Sequence, residues 1–176
     1  MRVFVTGATG WVGSVVVDEL LGAGHQVSGL VRSKEKAGPL AAKGATVVEG
    51  TLDDLDTLRA QAQNADAVVH TAFNHDFSNF AASSEQDKRA IEAFGEALSG
   101  TDKPLLVTSG VALLAPGRLA TEDDRLPKDA PFPRRSEVTA QDLAQRGVRA
   151  ATMRLSPSTH GLGGDHGFIA ILAKLA

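Results

Sequence analysis

Cysteine and tyrosine are both missing from this chain of 176 residues, and tryptophan occurs once. The lack of cysteine excludes disulfide bridges, thiolate metal sites and a cysteine nucleophile, and it is what we expect of a protein from the reducing cytoplasm. Aromatic residues make up only 5% of the chain, and the net charge of −3 comes without a basic block, which argues against a nucleic-acid partner. We find no signal peptide and no apolar run long enough for a membrane span.

The chain opens with a short apolar stretch that runs directly into a glycine-rich segment. Gly7, Gly10 and Gly13 are spaced as G-x-x-G-x-x-G between a strand pattern and a helix pattern. In that context the glycines allow a tight turn, a close approach of the backbone to a pyrophosphate, and close packing of the helix on the strand. The helix N-terminus offers free N–H groups to phosphates, whereas a glycine-rich turn without a ligand is the alternative. The predicted dinucleotide contacts here are Gly7, Thr9, Gly10, Trp11, Val12 and Gly13.

The second predicted strand, residues 26–31, ends at a basic residue. An acidic residue at this position would accept hydrogen bonds from the ribose hydroxyls and favour NAD. Arg32 and the hydroxyl of Ser33 suit a 2′-phosphate instead, which a carboxylate would repel. We therefore predict NADP in preference to NAD, with Arg32, Ser33 and Lys36 near the phosphate. The alternative is that these basic side chains only face solvent.

Strand and helix patterns alternate along the chain, which predicts an α/β fold with a parallel sheet. The six predicted strands cover residues 1–6, 26–31, 45–49, 67–71, 105–108 and 149–153, and the predicted helices cover residues 12–21, 54–63, 86–98 and 136–146. The expected fold is a doubly wound, Rossmann-like sheet of order 3-2-1-4-5-6 with helices on both faces and ligands at the carboxyl ends of the strands. Residues 74–84 and 115–134 are predicted to be loops, and Ser136 is a candidate helix cap.

The last nine residues, 168–176, form an apolar helical pattern that stops without a cap or a polar tail. Such a helix leaves an apolar face that needs cover. We therefore expect residues 1–176 to be a single NAD(P)-binding domain cut from a longer chain, with most of a C-terminal substrate-binding part absent.

With these residues identified, the chain resembles the extended and atypical short-chain dehydrogenase/reductases, which are related to NAD-dependent epimerases and dehydratases. Residues 6–13 resemble the T-G-A-T-G-x-x-G loop of that family, and residues 65–72 and 105–110 resemble its fourth and fifth strands. Residues 154–161 are similar to the R-P-x-x-V-Y-G segment that borders the nicotinamide. Members of the family are considerably longer than this chain, which agrees with the expectation of a fragment.

The resemblance also implies further cofactor contacts. Adenine contacts are implied for Thr51 and Leu52, although the acids that follow the third strand come late, at Asp53 and Asp54. The ends of the later strands are implied to line the two riboses and the nicotinamide. Those contacts are Thr71, Ala72, Phe73, Thr108, Leu155, Ser156 and Ser158.

The family's hydride chemistry uses a tyrosine four residues before a lysine, and the phenol moves the substrate proton. In this chain the aligned positions hold Asp129 and Pro133, or Pro133 and Glu137 after a shift of one turn. Ser109 keeps the family's serine position and could donate to a carbonyl, or it could cap the strand end. His160 stands at the tyrosine of the V-Y-G segment, where a histidine could donate a proton or be solvated.

Two functions remain open at this point. The first is an NADP-dependent oxidoreductase acting on a small carbonyl or alcohol substrate, and the second is an inactive redox sensor or regulatory protein that retains the nucleotide site. The missing tyrosine favours the sensor, whereas Ser109, residues 154–161 and the polar residues 74–84 favour the enzyme. Of the two functions we prefer the enzyme. An inactive domain of a larger assembly is a third possibility.

The histidines of the chain show no metal-ligand spacing, so we expect no metal. His70 is expected to pack inside the fold, and His75 and Asp76 to lie at the cofactor end of the sheet. The resemblance alone implies a homodimer through the helix that begins near Gln86.

Overall fold

The computed structural model describes residues 1–111, 114–126, 133–156 and 173. Six strands form one sheet, and every pair of neighbouring strands is parallel. Their order is β3-β2-β1-β4-β5-β6, as the sequence predicts. The strands are β1 Arg2–Thr6, β2 Gln26–Val31, β3 Thr46–Glu49, β4 Ala67–His70, β5 Leu105–Gly110 and β6 Ala150–Leu155.

Five α-helices connect these strands, and two of them differ from the sequence prediction. A short helix after β2 was not predicted, and the longest helix begins six residues before the predicted residue 86, so the predicted loop over residues 74–84 is wrong from Phe80 onward. The helix accommodates its early polar residues because the Ser84 hydroxyl donates to the Phe80 carbonyl at 2.8 Å. The helices are α1 Trp11–Gly22, α2 Ala37–Ala42, α3 Leu55–Asn64, α4 Phe80–Leu98 and α5 Ser136–Gln145.

Helices cover both faces of the sheet, and each face has its own apolar core. α3, α4 and α5 pack on one face around Phe4, Phe94 and Leu105, which are at most 1% exposed. α1 and α2 pack on the other face, mainly through Val17 and Leu40. Ile91, Phe94 and Leu98 share one face of α4 at helical spacing, and all three are buried. Val15 of α1 has the same spacing from its apolar neighbours but is 58% exposed.

The two halves of the sheet are covered unequally. On the side opposite α4 and α5, Ala67 and Val69 of β4 still belong to the core under α1 and α2. Among the described residues no helix packs on β5 and β6 from that side, and Met153 of β6 is 51% exposed. A hollow of about 380 Å³ lies on the amino-terminal halves of these strands, lined by residues such as Val69, Leu106 and Ala151. This hollow is at the opposite end of the strands from their carboxyl ends. The apolar pattern of residues 168–176 falls outside the described residues, apart from residue 173.

Candidate nucleotide-binding site

The turn from β1 into α1 is built around two glycines that leave no room for side chains. Gly7 has a φ of 69°, in the left-handed region that glycine adopts without strain, and its carbonyl accepts from the Gly10 amide at 2.8 Å. A Cβ on Gly7 would lie 2.7 Å from the Ala72 amide nitrogen, and one on Gly13 would lie 2.1 Å from the Gly7 carbonyl oxygen. α1 therefore begins closer to β1 and β4 than any other residue at Gly13 would allow.

The first turn of α1 keeps its amides available. Gly10 precedes the helix in an extended conformation, and no side chain in the described part of the chain accepts a hydrogen bond from the first turn. The first bond of the helix runs from the Ser14 amide to the Gly10 carbonyl, so the amides of Trp11, Val12 and Gly13 have no acceptor within the helix. With the positive end of the helix dipole, this surface suits a pyrophosphate.

Two side chains after β2 could bind a phosphate, but only one of them is available in this structure. The cation of Arg32 is available, whereas the hydroxyl of Ser33 is already hydrogen-bonded. Arg32 is exposed, and its guanidinium makes no ion pair within the described residues. The Ser33 side chain hydrogen-bonds to Glu35 and thereby lowers the pKa of that carboxyl. Lys36 is exposed at the end of the short 3-10 turn, where its amide donates to the Ser33 carbonyl at 3.2 Å. Ser33 therefore has to leave Glu35 before it can bind a phosphate.

The acidic residues after β3 bind other groups of this chain. The backbone amide and the hydroxyl of Thr51 both donate to Asp54, each at 2.7 Å, and these bonds lower the pKa of Asp54. Asp53 pairs with Arg89 of α4 at 3.0 Å, and Leu52 is 8% exposed and belongs to the core. No free carboxylate is therefore offered by Asp53 or Asp54, and the adenine contacts of Thr51 and Leu52 stay predictions.

A buried chain of hydrogen bonds joins the end of β1 to α4. His70 is packed inside the fold, as predicted, and is 1% exposed, but it is also bonded at both nitrogens. Its Nδ1 lies 2.7 Å from the Thr6 hydroxyl, and its Nε2 lies 3.0 Å from Asp87 Oδ1. Because the Ala72 amide donates to the Thr6 hydroxyl at 3.3 Å, the consistent assignment has Thr6 donating to Nδ1 and Nε2–H donating to Asp87. The Thr71 hydroxyl adds a bond to the Thr6 carbonyl at 2.7 Å.

A second chain of hydrogen bonds reaches Asp87 from α5. The Ser136 hydroxyl donates to Asp87 Oδ2 at 2.6 Å and accepts from Arg134 Nε at 2.9 Å. Arg134 Nη2 also donates to the Thr108 carbonyl, at 3.2 Å, at the end of β5. The prediction that Ser136 caps α5 is wrong: it is the first residue of the helix, and its hydroxyl turns to the buried Asp87 instead of the helix amides.

Arg134 meets an aromatic cluster, which we define as Phe73, His75, Phe77 and Phe80. Its guanidinium carbon lies 4.2 Å from the centroid of the Phe73 ring, and that ring contacts His75 and Phe80 at centroid distances of 5.3 and 5.5 Å. Phe77 stacks on Phe80 at 6.0 Å and is 70% exposed. Partial desolvation lowers the pKa of His75, and the positive charge of Arg134 lowers it further.

The glycine turn and the first turn of α1 lie in a part of the chain that matches a known protein family. Residues 7–119 match the family model described as NAD(P)H-binding. The chain belongs to the NAD(P)H-binding family. This membership agrees with the glycine turn and the free amides of α1, which lie inside the matched residues.

Relatives and structures similar to this NAD(P)H-binding protein are longer than the chain. It is 50% identical over 178 residues to the uncharacterised protein C2A9.02 of Schizosaccharomyces pombe and 40% identical over 179 residues to the uncharacterised protein YLL056C of Saccharomyces cerevisiae. Each match covers 100% of the chain and 60% of the relative. The UDP-glucose 4-epimerase of Thermus thermophilus in complex with NAD matches with a TM-score of 0.71 at 20% identity, over 99% of this chain and 61% of the epimerase. A putative epimerase from Burkholderia cenocepacia is 27% identical and matches with a TM-score of 0.72 over 97% of this chain and 59% of its own. Together with the family model, this match confirms the predicted resemblance to short-chain dehydrogenase/reductases of the epimerase type.

The predicted catalytic residues of this NAD(P)H-binding protein are only partly described. Ser109 lies on β5 directly after Thr108 and is 7% exposed, and its hydroxyl makes no hydrogen bond with any residue of the described part of the chain. Leu155 ends β6, and Ser156 follows it. The other predicted residues at this end, Ser158 and His160, lie outside the described residues, as does Asp129.

The positions aligned with the family's tyrosine and lysine do not supply an equivalent pair. Glu137 is 1% exposed, and Arg154 binds it through both carboxylate oxygens, at 2.7 and 3.0 Å. Pro133 has no titratable group. Glu137 is therefore a structural partner of Arg154, which ties α5 to β6.

Sequence reasoning missed Asp87 and Arg134, and it assigned Ser136 to the wrong role. A signal for Asp87 was present, because residues 87, 91, 94 and 98 share one face of a helix at spacings of three and four. A carboxylate on that otherwise apolar face requires a buried partner. No comparable signal marks Arg134, which is the last residue of the predicted loop.

The described residues offer neither a metal cluster nor a membrane-spanning helix. Within residues 1–111, 114–126 and 133–156, no three histidine, aspartate or glutamate side chains come together as metal ligands would, and the expectation of no metal stays a prediction. None of the described helices is long and apolar enough to cross a membrane.

Proposed function

We propose that this member of the NAD(P)H-binding family is an NADP-dependent oxidoreductase of the short-chain type, acting on a small carbonyl or alcohol substrate. The observation that carries the proposal is the first turn of α1, where three amides have no acceptor among the described residues. They lie beside a turn in which a side chain at position 7 or 13 would clash with the backbone. Main-chain donors held in that way bind a pyrophosphate without a rearrangement. The bound coenzyme would supply or accept a hydride.

The preference for NADP rests on the available cation after β2. Arg32 is exposed and has no ion-pair partner within the described residues. A guanidinium binds a phosphate through charge-assisted hydrogen bonds, and no acidic residue stands at the end of β2 to repel the 2′-phosphate. Lys36 adds a second positive charge close by in sequence.

The role proposed for Ser109 is to donate a hydrogen bond to the substrate carbonyl. Its hydroxyl has no partner among the described residues, and it lies at the carboxyl end of β5, where doubly wound folds place their ligands. Such a donor stabilises the negative charge that develops on the carbonyl oxygen during reduction. His160 remains the candidate proton donor from the sequence.

A redox sensor is the second candidate, and the absence of tyrosine favours it. Neither alignment of the tyrosine and lysine positions supplies a phenol, and Glu137 is committed to Arg154. A sensor would bind both redox forms of the coenzyme and reduce no substrate. The homodimer and the cytoplasmic location expected from the sequence stay predictions.

One experiment separates the two candidates. NADP⁺ and NADPH are each titrated into the protein by calorimetry, and a panel of aldehydes and ketones is then screened for loss of the absorbance of reduced nicotinamide. The oxidoreductase is supported by turnover that falls at least about tenfold in Ser109→Ala. Tight binding of both forms without turnover on any compound of the panel would favour the sensor, and no binding of either coenzyme would overturn both.

A further inference from the structure

The guanidinium of Arg134 is held by hydrogen bonds along one edge and by an aromatic ring against one face. Nε donates to the Ser136 hydroxyl and Nη2 to the Thr108 carbonyl, while the ring of Phe73 lies 4.2 Å from the guanidinium carbon. A guanidinium has five N–H groups, and these two bonds use one hydrogen on each of two nitrogens. The outer end of the guanidinium consists of Nη1 and the second hydrogen of Nη2, and it has no acceptor among the described residues. We call this outer end the open fork of Arg134.

The positive charge of Arg134 is not neutralised by direct contact. No carboxylate in the described part of the chain forms an ion pair with it, and Asp87 is reached only through the Ser136 hydroxyl. Burial lowers the pKa of Arg134, and the charge of Asp87 offsets this in part. A partly desolvated guanidinium with an open fork favours an anion strongly, since little water screens it.

The aromatic cluster adjoins the guanidinium of Arg134 through the ring of Phe73. The aromatic cluster begins at Phe73, and its outermost member, Phe77, is 70% exposed although it stacks on Phe80. An exposed phenylalanine held by stacking offers a flat apolar surface without further loss of side-chain entropy. Ser109 follows Thr108, whose carbonyl binds Arg134, so the cation, the aromatic cluster and the candidate catalytic hydroxyl lie at the same end of the sheet.

We propose that Arg134 binds the carboxylate of the substrate and that the aromatic cluster holds the substrate's planar apolar part. The proposal rests on the proposed function, because it assigns the substrate class of the same site. A carboxylate is planar and accepts two parallel hydrogen bonds, which matches the open end of the fork. The hydrogen bonds from Asp87 through Ser136 make Arg134 rigid, so that little side-chain entropy is lost on binding.

The test uses benzoate as the probe on the full chain saturated with NADP⁺, because the coenzyme then blocks the amides of α1 as a second anion site. Binding is measured by calorimetry or by ligand-observed NMR, with benzamide as the neutral isostere and acetate as the anion without a ring. Arg134→Met removes the fork and Arg134→Lys keeps the charge. Arg146→Met is the matched control, because Arg146 lies at the far end of α5 and its side chain bonds only to the Asp142 carbonyl within the described residues.

We expect benzoate to bind at least about tenfold more tightly than benzamide or acetate, and Arg134→Met to weaken benzoate about 10- to 100-fold. Arg134→Lys should recover part of the affinity for benzoate. Phe77→Ser should weaken the binding of benzoate but not that of acetate. Arg146→Met should leave the binding of both compounds unchanged. Arg134→Met should leave the dissociation constant of NADP⁺ within about threefold of its original value, which also shows that the variant is folded.

Equal binding of benzoate and benzamide, or benzoate binding that Arg134→Met leaves intact, would overturn the proposal. Failure of NADP⁺ to bind the unmodified protein is a different result, since it overturns the proposed function. In that case benzoate is titrated into the protein without coenzyme, and dependence on Arg134 still decides the carboxylate site by itself.

Discussion

Nε2 of His70 lies 3.0 Å from Oδ1 of Asp87, and each of these side chains is 1% exposed. Asp87 also accepts the Ser136 hydroxyl at 2.6 Å, so donors reach its two oxygens from opposite sides. One side leads through His70 to Thr6 at the glycine turn, and the other leads through Ser136 to Arg134. A single buried carboxylate thereby connects the candidate pyrophosphate site with the candidate substrate site.

Replacement of Asp87 by asparagine is expected to destabilise the fold. The amide keeps one acceptor oxygen but presents an NH₂ group to the second donor, so one buried hydrogen bond is lost at a cost of about 1–3 kcal/mol in the free energy of unfolding. Urea unfolding followed by circular dichroism measures this change. Glu85→Gln on the exposed side of α4 is the control and should stay within about 0.5 kcal/mol. If Asp87→Asn equals that control, the network is not structurally important.

Substitution of Gly13 by alanine should displace α1 from the sheet. The added Cβ would lie 2.1 Å from the Gly7 carbonyl oxygen, and such crowding typically costs about 1–3 kcal/mol of stability. NADPH affinity should fall at least about tenfold, since the amides of the first turn lose their positions. Gly22→Ala is the matched control in the same helix, because nothing lies within 4 Å of a Cβ there. NADPH bound equally well by Gly13→Ala would contradict the close approach.

The fold could be predicted from the sequence because its signals are local. Each strand is a short apolar run and each long helix carries its own periodicity, and the glycine spacing marks the turn at Gly7 without reference to the rest of the chain. The strand order then follows from the rules for parallel sheets.

The network could not be predicted because its members come from distant segments. His70 and Asp87 are 17 residues apart, and Asp87 and Ser136 are 49 residues apart. Polar residues such as Ser83 and Ser84 also hid the first turns of α4, because the pattern does not show that their side chains are buried. Arg134 gave no signal, since a single arginine in a loop is usually solvated.

Reversal of the charge at Arg32 tests the choice of coenzyme. Arg32→Asp should weaken NADP⁺ about 10- to 100-fold, since a charge-assisted bond to the 2′-phosphate is replaced by repulsion. NAD⁺, which lacks that phosphate, should change by less than about threefold. Calorimetric titration gives the dissociation constants of both coenzymes. Arg149→Asp, at the amino end of β6, is the control because it makes the same charge change away from the site. Equal weakening of the two coenzymes would remove the argument for NADP.

The titration of His75 tests the placement of Arg134. Because desolvation and then Arg134 lower the pKa of His75, the unfolded chain binds more protons than the folded one as the pH falls below about 6.5. This residue therefore costs stability increasingly from about pH 7 to pH 5, and none above that range. In NMR titrations Arg134→Met should raise the pKa of His75, whereas Arg146→Met should not. An unchanged pKa in Arg134→Met would place the guanidinium elsewhere.

The central claim is that main-chain amides of the first turn of α1 hold the pyrophosphate of a nicotinamide coenzyme. The most direct measurement follows the backbone amide resonances by ¹⁵N-edited NMR while NADPH is added to the isotope-labelled protein. We expect the largest shifts at Trp11, Val12 and Gly13, whose amides have no acceptor within the helix. Saturating NADPH that leaves those three resonances in place would contradict the account.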